Sequence, residues 1–360
     1  MKNIIKNILN EIEKNGFKAY LVGGFVRDYL LGKESMDVDI CTNALPKDLH
    51  KMFPNNSNSN LYGGFNLKIK NYNIDITTFR KELKYANRKP TEIVYIDSLE
   101  EDIVRRDFTI NSICMNSSCE IIDLVNGCED LNKRIIRMLG NIKERLTEDP
   151  LRILRAIRFA TILDFDIDSE LDKEIMDNYM LVNNLTSDRC KMELNKIFMS
   201  KNYNKGLELL KRYNLLDILG LSYDEVSYVS DISGMWAQFN ISRNYGFTKQ
   251  ELTNIIKIKE ILNIGVINNK ILYKYGLYCS LVAGEILNIN KKTILKRYNK
   301  LDIKSMNDLQ ISNKEIIELL DIEPGKIISD VKKDIVNEIL NGKLKNRNND
   351  IRKYILKRKE

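Results

Sequence analysis

The hydrophobic pattern of the chain changes once, near residue 140, and this change limits the possible folds more than any other feature. Before it, short apolar segments typical of strands alternate with segments of helical spacing. From Arg145 onward, Ile, Leu and Tyr recur every three or four residues, and only two prolines occur, Pro150 and Pro324. The pattern predicts an α+β fold, in which a small N-terminal head with a mixed β-sheet and helices precedes an elongated all-α neck, body and tail.

The 360 residues suffice for several domains, at a typical size of about 150 residues each. We predict a head over 1–137, a neck over 138–200, a body over 201–265 and a tail over 266–360. The boundary between the head and the neck follows the change of pattern.

Within the head, local patterns predict individual elements. Residues 19–22 and 38–41 are apolar enough for short strands, and a helix over 25–31 ends at Gly32. Residues 67–79 alternate around Asn-Tyr-Asn and predict a hairpin.

The histidine and cysteine content excludes several kinds of site. His50 is the only histidine, so a multi-histidine metal centre and an HExxH protease are excluded. His50 lies beside Leu49 and Phe53 on a predicted short helix, where a structural role is expected. None of the six cysteines forms a CxxC pair, so we expect no zinc site and no disulfide framework.

We expect a cytoplasmic protein that does not enter the membrane. No apolar run approaches the roughly 20 residues that a bilayer span requires. The N-terminal segment carries Glu11 and Glu13 within an amphipathic pattern, unlike the apolar core of a signal peptide.

The positive charge of the chain is concentrated at its C-terminus. Lys and Arg number 57 against 50 Asp and Glu, a net charge of +7, and residues 341–360 hold eight basic and two acidic residues. Such a segment suits a polyanion, although a solvated helix end explains it equally well when taken alone. The candidate residues for contact with an RNA backbone are Lys343, Lys345, Arg347, Arg352 and Lys353.

A glycine turn between the first strand and the next helix is a candidate phosphate site. Gly23 and Gly24 allow the backbone to approach a phosphate chain, and the helix N-terminus offers free N–H donors. Arg27, one turn into the helix, can meet the same phosphates.

Two aspartates on the following strand are candidate metal ligands. Asp37 and Asp39 alternate, so both carboxylates point to one face of the strand. Mg²⁺ would relieve their repulsion and usually shares its ligand shell with phosphate oxygens. A pair of exposed aspartates at a strand end is the alternative, but the preceding Gly-Gly-x-x-Arg-Asp favours the metal site. Asp75 shares the alternation of a second strand and is a candidate third carboxylate.

An arginine row occupies one side of a predicted helix. Arg152, Arg155 and Arg158 recur every three residues and follow Asp149. Surface ion pairing with Glu148 or Asp149 explains the row if it is taken alone. Alternatively, the Asp149 carboxylate can accept from an exocyclic amine while Arg152 donates to a ring acceptor, which suits cytosine and adenine and rejects guanine and uracil.

Six ordered motifs resemble those of the class II CCA-adding enzyme and bacterial poly(A) polymerase family, in the polymerase β-like nucleotidyltransferase superfamily. They are LVGGFVRDYLLGKESMDVDICTNALP (21–46), IDITTFR (74–80), RRDFTIN (105–111), DLVNGCEDLNKRIIR (123–137), EDPLRILRAIRFA (148–160) and DRCKMELNKIF (188–198).

The resemblance implies roles for the residues in these motifs. Arg106 and Asp107 would belong to the ribose-selecting motif, with a purely structural salt bridge as the alternative. The arginine row and Asp149 would read the incoming base in place of a nucleic-acid template, and Arg189 and Glu193 would brace them. The head would be catalytic, the neck would read the base and the tail would bind tRNA.

The implied reaction is template-independent addition of C, C and A to the tRNA 3′ end from CTP and ATP, with release of pyrophosphate. Asp37 and Asp39 would hold two Mg²⁺ ions, which activate the RNA 3′-OH and neutralise the leaving pyrophosphate. The protein would contact the acceptor and TΨC arm side of the tRNA. The sequence identifies no protein partner.

Segment 81–102 resembles the family's flexible loop, which enzymes that add only CC tend to lack. Its presence favours full CCA addition or addition of A alone, and poly(A) polymerase remains an alternative. A small-molecule nucleotidyltransferase would not require the arginine row, and a non-catalytic RNA-binding protein would not require both Asp37 and Asp39.

Overall fold

The computed structural model of the protein describes residues 3–54, 58–59, 64–86 and 89–357. The chain folds into two compact units that divide after Leu219. A small N-terminal domain contains the sheet, and the rest of the chain is mainly helical. This arrangement confirms the predicted α+β fold class. The four finer domain boundaries stay a prediction.

A seven-stranded mixed sheet organises the first part of unit one. The strands of this unit are β1 (Ala19–Val22), β2 (Asp37–Thr42), β3 (Asn58–Ser59), β4 (Gly64–Ile69), β5 (Tyr72–Thr78), β6 (Arg80–Ala86), β7 (Lys89–Tyr95), β8 (Cys114–Met115), β9 (Ile121–Ile122), β10 (Ile135–Ile136) and β11 (Asp166–Ile167). The sheet order is β3-β4-β5-β2-β1-β8-β9, and within it only β2 and β5 run parallel.

The predicted elements of the head are confirmed. Strands β1 and β2 lie where the apolar segments indicated, and β4 and β5 form the predicted hairpin. Strand β2 alternates as expected, because Val38 and Ile40 are buried while Asp37 is exposed. His50 lies on a short helix and packs edge-on against Phe65, with ring centroids 5.0 Å apart.

Helices alternate with the strands of the sheet and then make up most of the rest of unit one. The helices of unit one are α1 (Asn3–Lys14), α2 (Gly24–Leu30), α3 (Pro46–Met52), α4 (Leu99–Val104), α5 (Gly127–Lys133), α6 (Ile142–Glu148), α7 (Leu151–Leu163), α8 (Ser169–Asn178), α9 (Ser187–Phe198), α10 (Tyr203–Arg212) and α11 (Leu215–Ile218). Leu99 and Ile103 of α4 pack with Val22, Cys41 and Cys114 of the sheet. Because Cys41 and Asp39 lie two residues apart on β2, α4 covers the continuation of the face that carries Asp39.

Segment 81–102 differs from the loop that the resemblance suggested. It forms most of the β6–β7 hairpin and the first part of α4, while residues 87–88 lie outside the described residues. Ile93, Val94 and Tyr95 supply β-branched and aromatic side chains that favour a strand.

The remainder of the chain is not purely helical, because two short strand pairs interrupt it. Strands β10 and β11 pair in parallel and tie the end of the head to the loop after α7. A second pair, β12 (Leu221–Ser222) with β13 (Asn240–Ile241), opens the second unit. Apart from these pairs, the prediction of helix after helix is confirmed.

The second unit is otherwise a set of helices around its own core. They are α12 (Ile232–Ala237), α13 (Lys249–Ile264), α14 (Asn269–Ile286), α15 (Lys291–Asn299), α16 (Asn313–Leu320), α17 (Lys326–Leu340) and α18 (Asn348–Leu356). Helices α16 to α18 share a cluster of buried aliphatic side chains that includes Ile316, Ile335 and Ile351. Within the described ranges, no helix is both long and apolar enough to cross a membrane.

Candidate active site

The glycine turn brings the backbone between β1 and α2 close to the acidic strand. Val22 lies opposite Asp39 in the antiparallel register of β1 and β2. Gly23 has φ +75°, and a Cβ at this position would lie 2.6 Å from Asp39 Oδ2. Position 23 therefore requires glycine for both its conformation and its close approach to the carboxylate.

Three carboxylates share this face of the sheet. Asp39 lies opposite Asp75 in the parallel register of β2 and β5, and Asp37 lies two residues before Asp39. Asn73 Nδ2 donates to Asp37 Oδ1 at 3.2 Å, and Asn66 Nδ2 donates to Asp75 Oδ1. Asp37 and Asp75 are exposed, whereas Asp39 is half-buried.

Burial raises the pKa of the Asp39 carboxyl, and the charges of Asp75 and Asp37 add to the increase. Arg106 opposes this shift in pKa. A half-buried carboxylate next to other carboxylates provides hard oxygen donors, which suit a divalent cation. Within the described part of the chain, no group of three acidic, histidine or cysteine side chains is close enough to form a metal site. The case for a divalent metal ion at this position therefore rests on the pair of Asp37 and Asp39.

A cavity of about 560 Å³ opens beside Asp39 and collects most of the predicted site residues. It is lined by Gly23, Gly24, Arg27, Asp39, Arg105, Arg106, Asp107, Asn111, Asp149, Leu151, Arg152, Arg155, Arg158, Phe159 and Arg189. Of the predicted metal-binding, nucleotide-binding and bracing residues, Asp37, Asp75 and Glu193 lie outside this lining. Seven arginines against three aspartates make the cavity suited to a polyanionic ligand.

The arginine of the glycine-turn helix is held inside the head. Arg27 is 8% exposed, and its Nη1 donates to Asn111 Oδ1 at 2.7 Å. Its Nε and Nη2 both donate to Asp28 Oδ1. These contacts fix the guanidinium at the cavity wall beside the turn.

Arg106 and Asp107 pair with other residues rather than with each other. Arg106 Nη2 donates to Asp102 Oδ2 at 3.0 Å, and Asp102 is fully buried. Asp107 accepts from Nε of Arg155 at 2.8 Å and also from Nη2 of Arg155. Burial alone would raise the pKa of Asp107, but the Arg155 guanidinium, together with hydrogen bonds from Asn111 and the Phe108 backbone N–H, holds that pKa below its usual value. Both side chains thus stay charged at the cavity.

The arginine row of α7 faces the cavity with each guanidinium held differently. Arg152 Nη1 donates to Glu148 Oε2 at 3.1 Å, which is one of the ion pairs that the sequence offered as an alternative. Arg158 forms an ion pair with Glu193 at 2.8 Å, and burial lowers the pKa of Arg158. All three arginines of the row line the cavity. Each therefore forms an ion pair within the protein and is also accessible to a ligand in the cavity.

The two predicted bracing residues of α9 contact the row and its neighbour. Arg189 Nη2 donates to Asp149 Oδ2 at 2.8 Å and lines the cavity itself. Asp149 Oδ1 accepts from the Leu151 backbone N–H at 3.2 Å. Glu193 is 5% exposed and pairs with Arg158.

Sequence reasoning missed several residues that hold the site together. Asp102 accepts from both Arg105 and Arg106, and its spacing of three and four residues before them on a helix was a usable signal. The spacing of Arg145 and Glu148 was a signal of the same kind, but the contact of Arg145 with the Arg106 carbonyl, 39 residues away, and that of Asn111 with Arg27, 84 residues away, carried none.

The basic C-terminal residues belong to the second unit. Lys343, Lys345, Arg347 and Lys353 are exposed. Arg352 instead forms an ion pair of 3.1 Å with Glu315. Hydrogen bonds, first from the Ser312 backbone N–H and then from Asn348, lower the pKa of Glu315 to about 2.

Three family models match the chain in order. The "Poly A polymerase head domain" matches 19–137, an RNA and SrmB binding site of polymerase A matches 164–223, and a "tRNA nucleotidyltransferase domain 2" matches 246–355. The CCA-adding enzyme of Lactococcus lactis is 31% identical over 95% of this chain and 94% of its own length. The chain belongs to the CCA-adding enzyme family. The motif resemblance is thereby confirmed, and the family in general depends on a divalent metal.

Other relatives and solved structures agree. The CCA-adding enzyme of Ligilactobacillus salivarius is 30% identical over 94% of this chain and 92% of its own length. The Bacillus stearothermophilus CCA-adding enzyme in complex with CTP superposes with a TM-score of 0.88, at 25% identity over 99% of this chain and 98% of that one. The Thermotoga maritima enzyme complexed with tRNA-CCA, at 22% identity and a TM-score of 0.70, shares the fold over 100% of this chain and 97% of that one.

Proposed function

We propose that this protein adds C, C and A, without a template, to the 3′ end of tRNA from CTP and ATP, releasing pyrophosphate. The observation that carries the proposal is one cavity that joins the Asp39 carboxylate, the glycine turn and the α7 arginine row. Its relatives, which align over nearly the whole chain, are named CCA-adding enzymes. We place the reaction in the cytoplasm, where tRNA precursors and nucleoside triphosphates are at hand.

Asp37 and Asp39 would hold the metal, which we propose to be two Mg²⁺ ions. When bound, the ions supply Lewis-acid stabilisation of the attacking RNA 3′-oxygen and of the pyrophosphate group. Gly23 keeps the backbone close to the Asp39 carboxylate, and Gly24 begins the helix whose free N–H groups can face phosphate. Arg27 lies at the same wall of the cavity.

The nucleoside would be recognised by two groups of side chains. Arg106 and Asp107 would contact the ribose, and the buried Arg106 Nε–H has no hydrogen-bond partner among the described residues, so a ligand oxygen could satisfy it. Asp149 and Arg152 would read the base edge, with Asp149 oriented by Arg189. Arg155 and Arg158 contribute positive charge to the cavity next to Asp149 and Arg152.

The proposal is tested with purified protein, Mg²⁺ and a tRNA transcript that lacks its terminal CCA. We expect CTP alone to extend the tRNA by two nucleotides, ATP alone to extend it little, and both together to restore CCA, read on a sequencing gel. Chelation of the metal should stop every extension.

The alternatives give different products in the same assay. An enzyme that adds only A would extend tRNA ending in CC with ATP but would ignore CTP. Long A-tails on a hairpin RNA without tRNA arms would identify a poly(A) polymerase. Tight tRNA binding with no extension would support a non-catalytic RNA-binding protein.

We also propose that the exposed basic residues of the second unit contact the tRNA backbone. Lys343, Lys345, Arg347 and Lys353 are free to reach phosphate oxygens, whereas Arg352 would first have to leave Glu315. Contacts of this kind position the RNA without reading its sequence.

Replacing Lys343 and Lys345 together by Gln should weaken tRNA binding several-fold and lower the slope of log affinity against log salt by roughly 0.7–0.9 for each lost phosphate contact. Binding is measured by filter retention at several salt concentrations. The matched control replaces the exposed Lys6 and Lys14 of α1 by Gln. Equal losses in the two double variants would show that only net charge matters and would contradict the assignment.

A further inference from the structure

Arg145 joins two walls of the cavity, although sequence analysis gave it no role. It lies on α6, and its side chain is 12% exposed. Its Nη2 donates to the backbone carbonyls of Arg105 and Arg106, the latter at 2.7 Å. These carbonyls belong to the segment that leads into Asp107, so the Arg145 guanidinium anchors the backbone of the ribose-selecting motif.

The same residue also contacts the base-reading wall. Arg145 Nη1 donates to Glu148 Oε2 at 3.1 Å, and Arg152 Nη1 donates to the same oxygen at 3.1 Å. The backbone carbonyl of Arg145 accepts from Arg152 Nη1 and from the backbone N–H of Asp149, the latter at 3.3 Å. The Arg145 backbone therefore contacts both Asp149 and Arg152, whereas its side chain reaches Arg152 through the Glu148 carboxylate that the two guanidinium groups share.

The planar fork of arginine is required for this arrangement. One nitrogen meets two carbonyls of the 105–106 backbone while the other meets the Glu148 carboxylate, and the rigid guanidinium fixes the distance between them. A lysine would keep the charge but lose the fixed geometry. A glutamine would lose the charge and reach less far.

We propose that Arg145 is a positioning residue that couples recognition of the ribose to recognition of the base. The inference rests on the proposed function, because it assumes that Arg106 and Asp107 face the ribose and that Asp149 and Arg152 face the base. Arg145 itself would contact neither the ribose nor the base. It sets the position of the ribose-recognising residues relative to the base-recognising residues.

The test measures two selectivities on a tRNA that lacks CCA. The ratio of kcat/KM for CTP over dCTP reports ribose recognition, and the ratio for CTP over UTP reports base recognition. We expect Arg145→Gln and Arg145→Lys to lower both ratios, each by roughly tenfold, because small displacements of positioning groups have effects of this size or larger. Arg152→Gln should lower only the base ratio.

The control is Lys143→Gln, since Lys143 is exposed on the same helix and its side chain lies outside the cavity. It should keep both ratios at the wild-type value. Thermal unfolding of each variant is measured alongside, and if Arg145→Gln fails to fold, Arg145→Lys carries the test.

Two results would overturn the inference. If the Arg145 variants lose activity equally for CTP, dCTP and UTP, the residue supports the fold and does not couple recognition. If Arg145→Lys keeps both wild-type ratios, the fork geometry is not needed. A wild-type protein that incorporates no CMP overturns the proposed function itself, before any variant is compared.

Discussion

Replacing Asp39 by Asn should reduce nucleotidyl transfer by at least about 1,000-fold, corresponding to several kcal/mol of lost transition-state stabilisation. Asn preserves the shape of the side chain but removes the charge that would bind the metal. The rate is measured as CMP incorporation into tRNA under single-turnover conditions with saturating CTP.

The same change should leave the fold as stable as before or slightly more stable. Because the pKa of Asp39 is raised in the folded chain, its negative charge costs stability at neutral pH, and the neutral Asn removes that cost. Activity and thermal stability are therefore expected to respond in different ways. A variant that loses both would indicate a structural role for Asp39.

Two further aspartates sharpen this experiment. Asp166→Asn is the matched control, since its side chain is 89% exposed and is not part of the cavity lining. We expect it to retain wild-type rates. Asp75→Asn tests the third carboxylate: a loss within tenfold of that in Asp39→Asn would make Asp75 a metal ligand, and a near-normal rate would exclude it.

Replacing Glu193 by Ala should destabilise the first unit by about 3–5 kcal/mol, because it leaves the Arg158 guanidinium buried without its partner. Arg158 and Glu193 have side-chain exposures of only 8% and 6%. For a unit of this size the loss corresponds to a fall in the unfolding midpoint of roughly 10 °C, measured by circular dichroism.

The exposed pair of Lys133 and Glu129 provides the comparison, since both side chains are 59% exposed. Glu129→Ala should cost less than about 1 kcal/mol, because exposed ion pairs contribute little. Replacing both Arg158 and Glu193 by Met should recover much of the stability lost in Glu193→Ala. Similar midpoints for Glu193→Ala and Glu129→Ala would contradict the buried-pair interpretation.

Local patterns explain why much of the head could be predicted. The alternation around Asp37 and Asp39, and the glycines after β1, are short-range signals that the backbone obeys directly. The hairpin of β4 and β5 follows for the same reason. The β6–β7 hairpin was missed because the family resemblance suggested a loop, although its β-branched residues favoured strands.

The long-range pairs of the arginines could not be predicted, because they are decided by tertiary structure. Arg155 pairs with Asp107, 48 residues away, and Arg189 pairs with Asp149, 40 residues away. The sequence shows that guanidinium and carboxylate groups are present but not which ones meet. The roles of these residues in nucleotide binding stay predictions until the variants are measured.

The contact between Gly23 and Asp39 has an evolutionary consequence. Any side chain at position 23 would collide with the carboxylate, so the steric part of the restriction on this position lasts only as long as the acid must keep its place. A descendant that abandoned the chemistry would keep only the conformational preference for glycine. The glycine can therefore serve as a marker, in the genomes of related organisms, of whether a copy of this gene still encodes a working enzyme.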